Sequence, residues 1–453
     1  MPQLSSILAS AAPLPTITVT TPLRHPRLKY VLRIVGEDLG YRFRFFNDRS
    51  VFGQEAPRYS IHYGNGEGPR CLPAHPLLSG KAPAPACTAP LLHDGLPVFF
   101  MTEHGPDLLA CIFFALSRYE EYGSFQPDAH GRFPATQSHA HRHGYLMRPM
   151  VREWTAALGR QLRRWFPNLP PPRKHPLRFV PTYDIDLLWA YRHRGIRGIA
   201  SGVKDLLTGK PKRSLQRLTT RSATDPYFTI PALEALHQQH NLVARYFWLL
   251  SNGKLRQDPN PYPIPPEQRR LMRDLPQVGL HPSYASSEHP ELIAQERQRM
   301  EQIVDRPVTH SRQHFLRFRL PDTYRSLIKA GITNDYSMGY ADAPGWRAGT
   351  NLPFPWYDLE QERETKLTVH PFAAMDATLR SYQNKGAEAA GATIREMEQS
   401  LREYGGAFSL LWHNSSFAEA YGWDGWWGMY TKLVAELATG DQTSSSPPDS
   451  GRH

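Results

Sequence analysis

The strongest constraint on the fold is a rhythm in the second half of the chain, where short apolar runs of strand length alternate with helical stretches. The strand-like runs are Leu177–Pro181, Ala244–Leu250, Val278–Leu280, Thr309–Ser311, Thr333–Asp335, Leu352–Phe354, Thr368–Pro371 and Phe408–Trp412. Helical stretches such as Thr229–Gln239, Pro290–Val304, Pro321–Ala330 and Gly386–Tyr404 lie between them. A parallel sheet needs a long crossover between successive strands, so this alternation over about 250 residues is what a (β/α) barrel requires. Barrels of that kind carry their chemistry at the C-terminal ends of the strands.

The remainder of the 453 residues divides at a proline-rich connector, Pro170 to Pro172, which follows a helix end and precedes a new strand. This predicts a domain boundary near residues 167–175. Upstream, residues 25–168 read as a small α/β domain of unassigned role. It has a helix over Tyr30–Gly40, an alternating strand over Tyr41–Phe46, a strand over Leu96–Met101, an apolar helix over Asp107–Tyr122 and a closing helix over Pro149–Trp165. Glu120, Asp128 and Arg132 are placed either in solvated turns or at a barrel mouth, and common helix-end charge favours the former. The alternating His139, His141 and His143 read as a polar loop. Residues 1–24 are expected to be flexible and residues 441–453 a disordered tail.

Reading only strand ends in the barrel, residues 175–440, five polar clusters stand out. Asp184 and Asp186, at i and i+2, point to one side of the sheet, where one carboxylate can bind a cation and the other act as a base. Helix capping is an alternative for one of the two. His281 ends an apolar run and Pro282 forbids further ladder pairing, so the imidazole is displayed at a strand tip, as a ligand or a structural residue. Arg312 and His314 follow the next run, where the arginine either orients a carboxylate or is a surface charge. The loop Asn334 to Gly349, with Tyr336 and Trp346, is of the glycine- and aromatic-rich kind that walls a sugar site, or an irregular turn. Finally, Trp412-His413-Asn414 ends the last run in a His suited to general acid catalysis.

In that order the clusters resemble the motifs of the polysaccharide deacetylases of the NodB-homology group, carbohydrate esterase family 4. The resemblance implies a distorted (β/α) barrel that uses a divalent metal, most plausibly Zn²⁺, to remove N-acetyl groups from amino sugars. It implies Asp184 as catalytic base, Arg312 as the residue orienting it, His413 as the acid, and Asp186 and His281 as metal ligands. The family's second motif carries another His where this chain has Ala285. His314, His289 and Ser283 are the candidate substitute ligands, and His314 is preferred because it approaches from a different strand end. Tyr284, Tyr336, Trp346, Trp412 and Asn414 are the expected substrate contacts. A barrel that binds carbohydrate without hydrolysing it is the alternative.

Composition narrows the partners. Lys and Arg outnumber Asp and Glu by 53 to 42, a net charge of +11, but the excess is scattered. No helix-turn-helix, finger or aromatic sheet signature accompanies it, so nucleic acid is not an expected partner. An acidic or phosphate-bearing, lipid-linked sugar suits the charge better. Cys71, Cys87 and Cys111 form no close pair, and no apolar run approaches the length needed to span a bilayer. A cytoplasmic location is expected, with or without association at a membrane surface, and a glycan precursor as substrate.

Overall fold

The computed structural model describes residues 13–46, 57–66, 68–80, 89–193, 219–252 and 255–442, with Leu207 and Leu215 in addition. Cys87 lies outside these residues, as do 1–12 and 443–453 of the expected flexible ends. Two compact units partition the chain. One comprises Met1–Ser117, Met150–Lys174 and Gln361–Glu364, the other Arg118–Pro149, His175–Glu360 and Thr365–His453. These units differ from the expected split into residues 25–168 and 175–440 in two respects: Arg118–Pro149 groups with the larger unit and Gln361–Glu364 with the smaller.

The smaller unit is built on a parallel sheet in the order β2, β1, β3, β4, formed by Thr16–Thr20 (β1), Arg42–Phe45 (β2), Ser60–Tyr63 (β3) and Cys71–Leu72 (β4). Residues 16–20 correct the expectation of a flexible stretch reaching residue 24. In TITVT the β-branched side chains favour extended backbone, and Ile17 and Val19 are buried. The helix Pro26–Leu39 starts where His25 accepts from the Arg27 amide and stops at Gly40, whose φ of 74° is left-handed. Two short hairpins follow, Leu91–His93 (β5) with Leu96–Val98 (β6) and Met101–Thr102 (β7) with Gly105–Pro106 (β8). The helix Leu108–Ser117 is apolar nearly all round and correspondingly buried, and it packs on the helix Met150–Trp165. It ends at Ser117, short of the expected Tyr122, because Arg118 turns left-handed at φ 53°.

The larger unit carries a nine-stranded sheet in the order β14, β15, β13, β12, β11, β10, β9, β17, β16. In chain order these are Leu177–Ile185 (β9), Arg245–Leu249 (β10), Val278–His281 (β11), His310–Ser311 (β12), Asn334–Asp335 (β13), Phe354–Asp358 (β14), Arg363–Val369 (β15), Ala374–Met375 (β16) and Gly406–His413 (β17). From β15 to β16 the pairing is parallel. The expected α/β rhythm is present, with helices such as Ile230–Gln239, Glu291–Val304 and Asp322–Lys329 between strands. Closure into a barrel is not seen among the described residues, since β14 and β16 each have a neighbour on one side alone. Closing a barrel requires every strand to pair on both edges. The middle of the sheet is deeply buried, with Tyr246, Phe247, Trp248 and Leu249 of β10 and Tyr183 of β9 without exposed surface.

The segment joining from Arg118 packs as part of this unit. Arg118 donates to Glu121 and Glu120 at 2.7 and 2.8 Å and to the Tyr340 hydroxyl at 2.9 Å. Arg347 grips both oxygens of Glu121 at 2.9 and 2.6 Å. The charges that read as a solvated turn are thus a buried, mutually neutralising cluster, which is how charge is tolerated in a core.

Candidate functional site

Because the strands are parallel, the tips of β9, β11, β12 and β17 end on one edge, and the register sets His413 directly across from Asp184. Asp184 is buried, and one of its oxygens accepts from Arg312 Nη1 at 2.9 Å. Arg312 has no exposed surface. Two further donors go to Thr182 Oγ1 at 2.7 Å and the Tyr336 carbonyl at 2.9 Å, and its guanidinium lies 4.5 Å from the Phe247 ring centre. The other Asp184 oxygen is 3.7 Å from His281 Nε2.

Asp186, just past β9, is approached by three imidazoles. Its Oδ1 lies 3.2 Å from His281 Nε2 and 3.5 Å from His314 Nε2, and its Oδ2 lies 3.9 Å from His413 Nε2. Among the described residues, Asp186, His281 and His314 offer ligand atoms all within 4.8 Å of one another. Asp186 Oδ1 is buried with no hydrogen-bond partner, an arrangement that calls for a cation. One carboxylate and two imidazoles form a donor set that divalent zinc takes, so these residues fit the metal. Burial opposes ionisation of Asp186, but the imidazoles of His314, His281 and His413 around it outweigh that and hold the carboxyl well below its usual range. Burial likewise opposes protonation of His314, yet the Asp186 charge and the Asp258 carboxylate bonded to Nδ1 lift it to about 9.

Both ring nitrogens of each histidine are accounted for. His281 Nδ1 faces the Arg312 carbonyl at 2.6 Å, and His314 Nδ1 faces Asp258 Oδ1 at 3.1 Å. His413 Nδ1 lies 2.8 Å from Asp376 Oδ1, whose second oxygen accepts the His413 amide at 2.6 Å. Burial pulls the His413 pKa down, but the Asp376 carboxylate and the more distant Asp186 and Asp184 raise it to about 10. Nδ1 donates to Asp376, and Nε2 faces Asp186.

Six expected residues therefore meet at one place: Asp184, Asp186, His281, Arg312, His314 and His413. The expected substrate contacts fare differently. Tyr284 is half-buried beside the site, its hydroxyl 3.2 Å from His130 Nδ1 and its ring edge-on to Phe315. Tyr336 is buried and stacks flat on His370 at 4.3 Å. Trp346 and Trp412 have essentially no exposed surface, and Trp412 packs against Trp426 and Tyr430. Asn414 braces the loop carbonyls of Leu187 and Tyr227. These four side chains are core, not sugar contacts. The same holds for the glycine-rich loop, where a Cβ on Gly339 would sit 2.2 Å from the Phe372 ring.

Two functional candidates escape a reading by strand tips. Asp376 follows β16, a strand of two residues hidden in the run HPFAAMD. Asp258 lies in the proline-rich loop after β10. A carboxylate just past an apolar run was a usable signal for Asp376; nothing in the sequence marks Asp258.

A family of unknown function (DUF7033) matches residues 17–167, which contain none of the site residues. No curated protein matches the chain. Among solved structures, similarity is found to a protein of Mycobacterium smegmatis described as a polysaccharide deacetylase, 12% identical with a TM-score of 0.39, covering 63% of this chain and 96% of that one. A CE4 family pseudoenzyme from Bacillus anthracis is 10% identical with a TM-score of 0.28, covering 60% and 63%. A family 4 carbohydrate esterase from Streptomyces lividans is 11% identical with a TM-score of 0.25, covering 47% and 81%. Similarity at this level leaves the functional reading to rest on the side chains themselves.

Proposed function

We propose that the larger unit is a metal-dependent hydrolase that removes an N-acetyl group from an amino sugar in a glycan or glycan precursor. The supporting observation is one convergence: a three-residue donor set for a divalent metal, with an arginine-clamped carboxylate on one side and a carboxylate-held imidazole on the other. Asp186, His281 and His314 would hold Zn²⁺ as three protein ligands, the number that leaves a catalytic site one open position. Zinc bound there supplies Lewis acidity toward the acetyl oxygen and brings the pKa of water down toward roughly 7.

The chain's own groups move the protons. Arg312 fixes one oxygen of Asp184 and leaves the other facing the donor set, where it accepts the proton of the attacking water. The Asp376 carboxylate at Nδ1 holds His413 as an imidazolium, which delivers its Nε2 proton to the sugar nitrogen as the carbon–nitrogen bond breaks. Hydroxide oxygen joins the acyl carbon, acetate leaves, and the sugar retains a free amine. General acid and general base each contribute on the order of 10² to 10⁴ in rate. The net charge of +11 favours an acidic or lipid-linked phosphorylated sugar as the carrier of that N-acetyl group.

Ala285, standing where the resembled motif has its second His, favours a second reading in which the unit binds carbohydrate without hydrolysis. The two separate in one assay. Hydrolysis predicts acetate release that a chelator stops; binding alone predicts glycan retention that a chelator leaves unchanged and no acetate.

A further inference from the structure

We propose that Asp258 is the positioning residue that makes His314 a metal ligand, an inference that rests on the metal centre proposed above. An imidazole ligates well through one nitrogen when the other is held, and a carboxylate partner raises its basicity. His281 has a backbone carbonyl in that role, whereas His314 has the carboxylate of Asp258 at 3.1 Å. Asp258 is 1% exposed and comes from the loop after β10, a strand that supplies no ligand. The same Oδ1 accepts the Tyr284 amide at 2.8 Å. One carboxylate thus ties together the loop that has Ala285 instead of a His and the turn that brings His314 in its place.

That turn needs holding. Phe315 and Leu316, directly after His314, both have positive φ, 59° and 52°, a backbone that non-glycine residues adopt at a cost. Arg132 donates to the Phe315 carbonyl at 2.7 Å and fixes the far side of the turn. Asp258 fixes the ring itself, leaving Nε2 directed at Asp186. A merely structural account assigns Asp258 to the Tyr284 amide alone, and the two accounts differ in what happens when His314 is absent.

The test is the Zn²⁺ affinity of the full chain, measured by competition with a chromophoric chelator, with circular dichroism as the check on folding. Asp258→Ala is expected to weaken binding about 10- to 100-fold. Asp258→Asn, whose Oδ1 still accepts both N–H groups, weakens it less and carries the comparison should the alanine variant not fold. In a His314→Ala background neither change weakens binding further. Wild-type affinity in both Asp258 variants, or an undiminished loss in the His314→Ala background, overturns this inference while leaving the metal centre standing. A wild-type chain with no zinc affinity overturns the metal centre, and this inference with it.

Discussion

Arg312 is the side chain on which the site leans most. It is wholly buried, and its three directed bonds reach Asp184, Thr182 and the Tyr336 carbonyl. Removing it strands the Asp184 carboxylate in the core, and breaking a buried pair in this way costs about 3–5 kcal/mol. Arg312→Met should therefore lower the urea midpoint sharply as well as abolish activity, and Arg312→Lys should not restore it, since an ammonium cannot reproduce the planar fork. A midpoint within error of wild type would refute the clamp. Asp184, Asp186, His281 and His413 stood out in the sequence because a polar residue ending an apolar run is a signal carried by the chain alone, whereas Arg312 follows the polar Thr309-His310-Ser311 and took its role from the resemblance. The aromatic candidates were not separable that way. Trp346, Trp412 and Tyr336 have the composition of a sugar site and the burial of a core, and burial depends on partners distant in sequence.

At the scale of elements, caps and turns set what the strands can present. Asp107 caps the helix Leu108–Ser117, accepting from the Ala110 amide at 3.0 Å, the His75 amide at 2.8 Å and the Tyr63 hydroxyl at 2.6 Å. Burial raises its pKa to about 6, against backbone and tyrosine bonds that lower it. Its folded value thus lies above the unfolded one. The stabilisation it gives is complete below the unfolded carboxyl range and is lost as pH rises through about 6. Asp107→Asn forces an amide N–H₂ against these donors, a cost of about 1–3 kcal/mol, and that deficit should be larger near about pH 4 than near about pH 7.5. Urea titrations at both pH values check it, and a pH-independent deficit would argue against the raised carboxyl. Leading into β17, Gly405 has φ 62°, and a Cβ there would fall 1.7 Å from the His175 carbonyl oxygen. Gly405→Ala should lose at least about 1–3 kcal/mol by thermal unfolding, because the neighbour is backbone and cannot step aside. Thermal stability equal to wild type would show that the turn has another conformation.

Across the whole molecule, the strand and helix alternation was readable because periodicity is local. What was not readable is long-range. Within the larger unit, the charges of Arg118 and Glu121 in the segment Arg118–Pro149 are neutralised with Arg347, which lies 226 residues from Glu121 in sequence. The order of the strands in the sheet depends equally on pairings that no window of sequence contains. No helix among the described residues is long and apolar enough to cross a membrane. The central claim, a hydrolytic metal centre at the tips of β9, β11, β12 and β17, is tested most directly by measuring zinc content and acetate release together on N-acetylated amino-sugar substrates. The account predicts about one zinc per chain, acetate release that stops on chelation, and an Asp184→Asn variant that keeps its zinc while losing on the order of 10² to 10⁴ in kcat. A folded wild-type protein that holds no zinc and releases no acetate would contradict it.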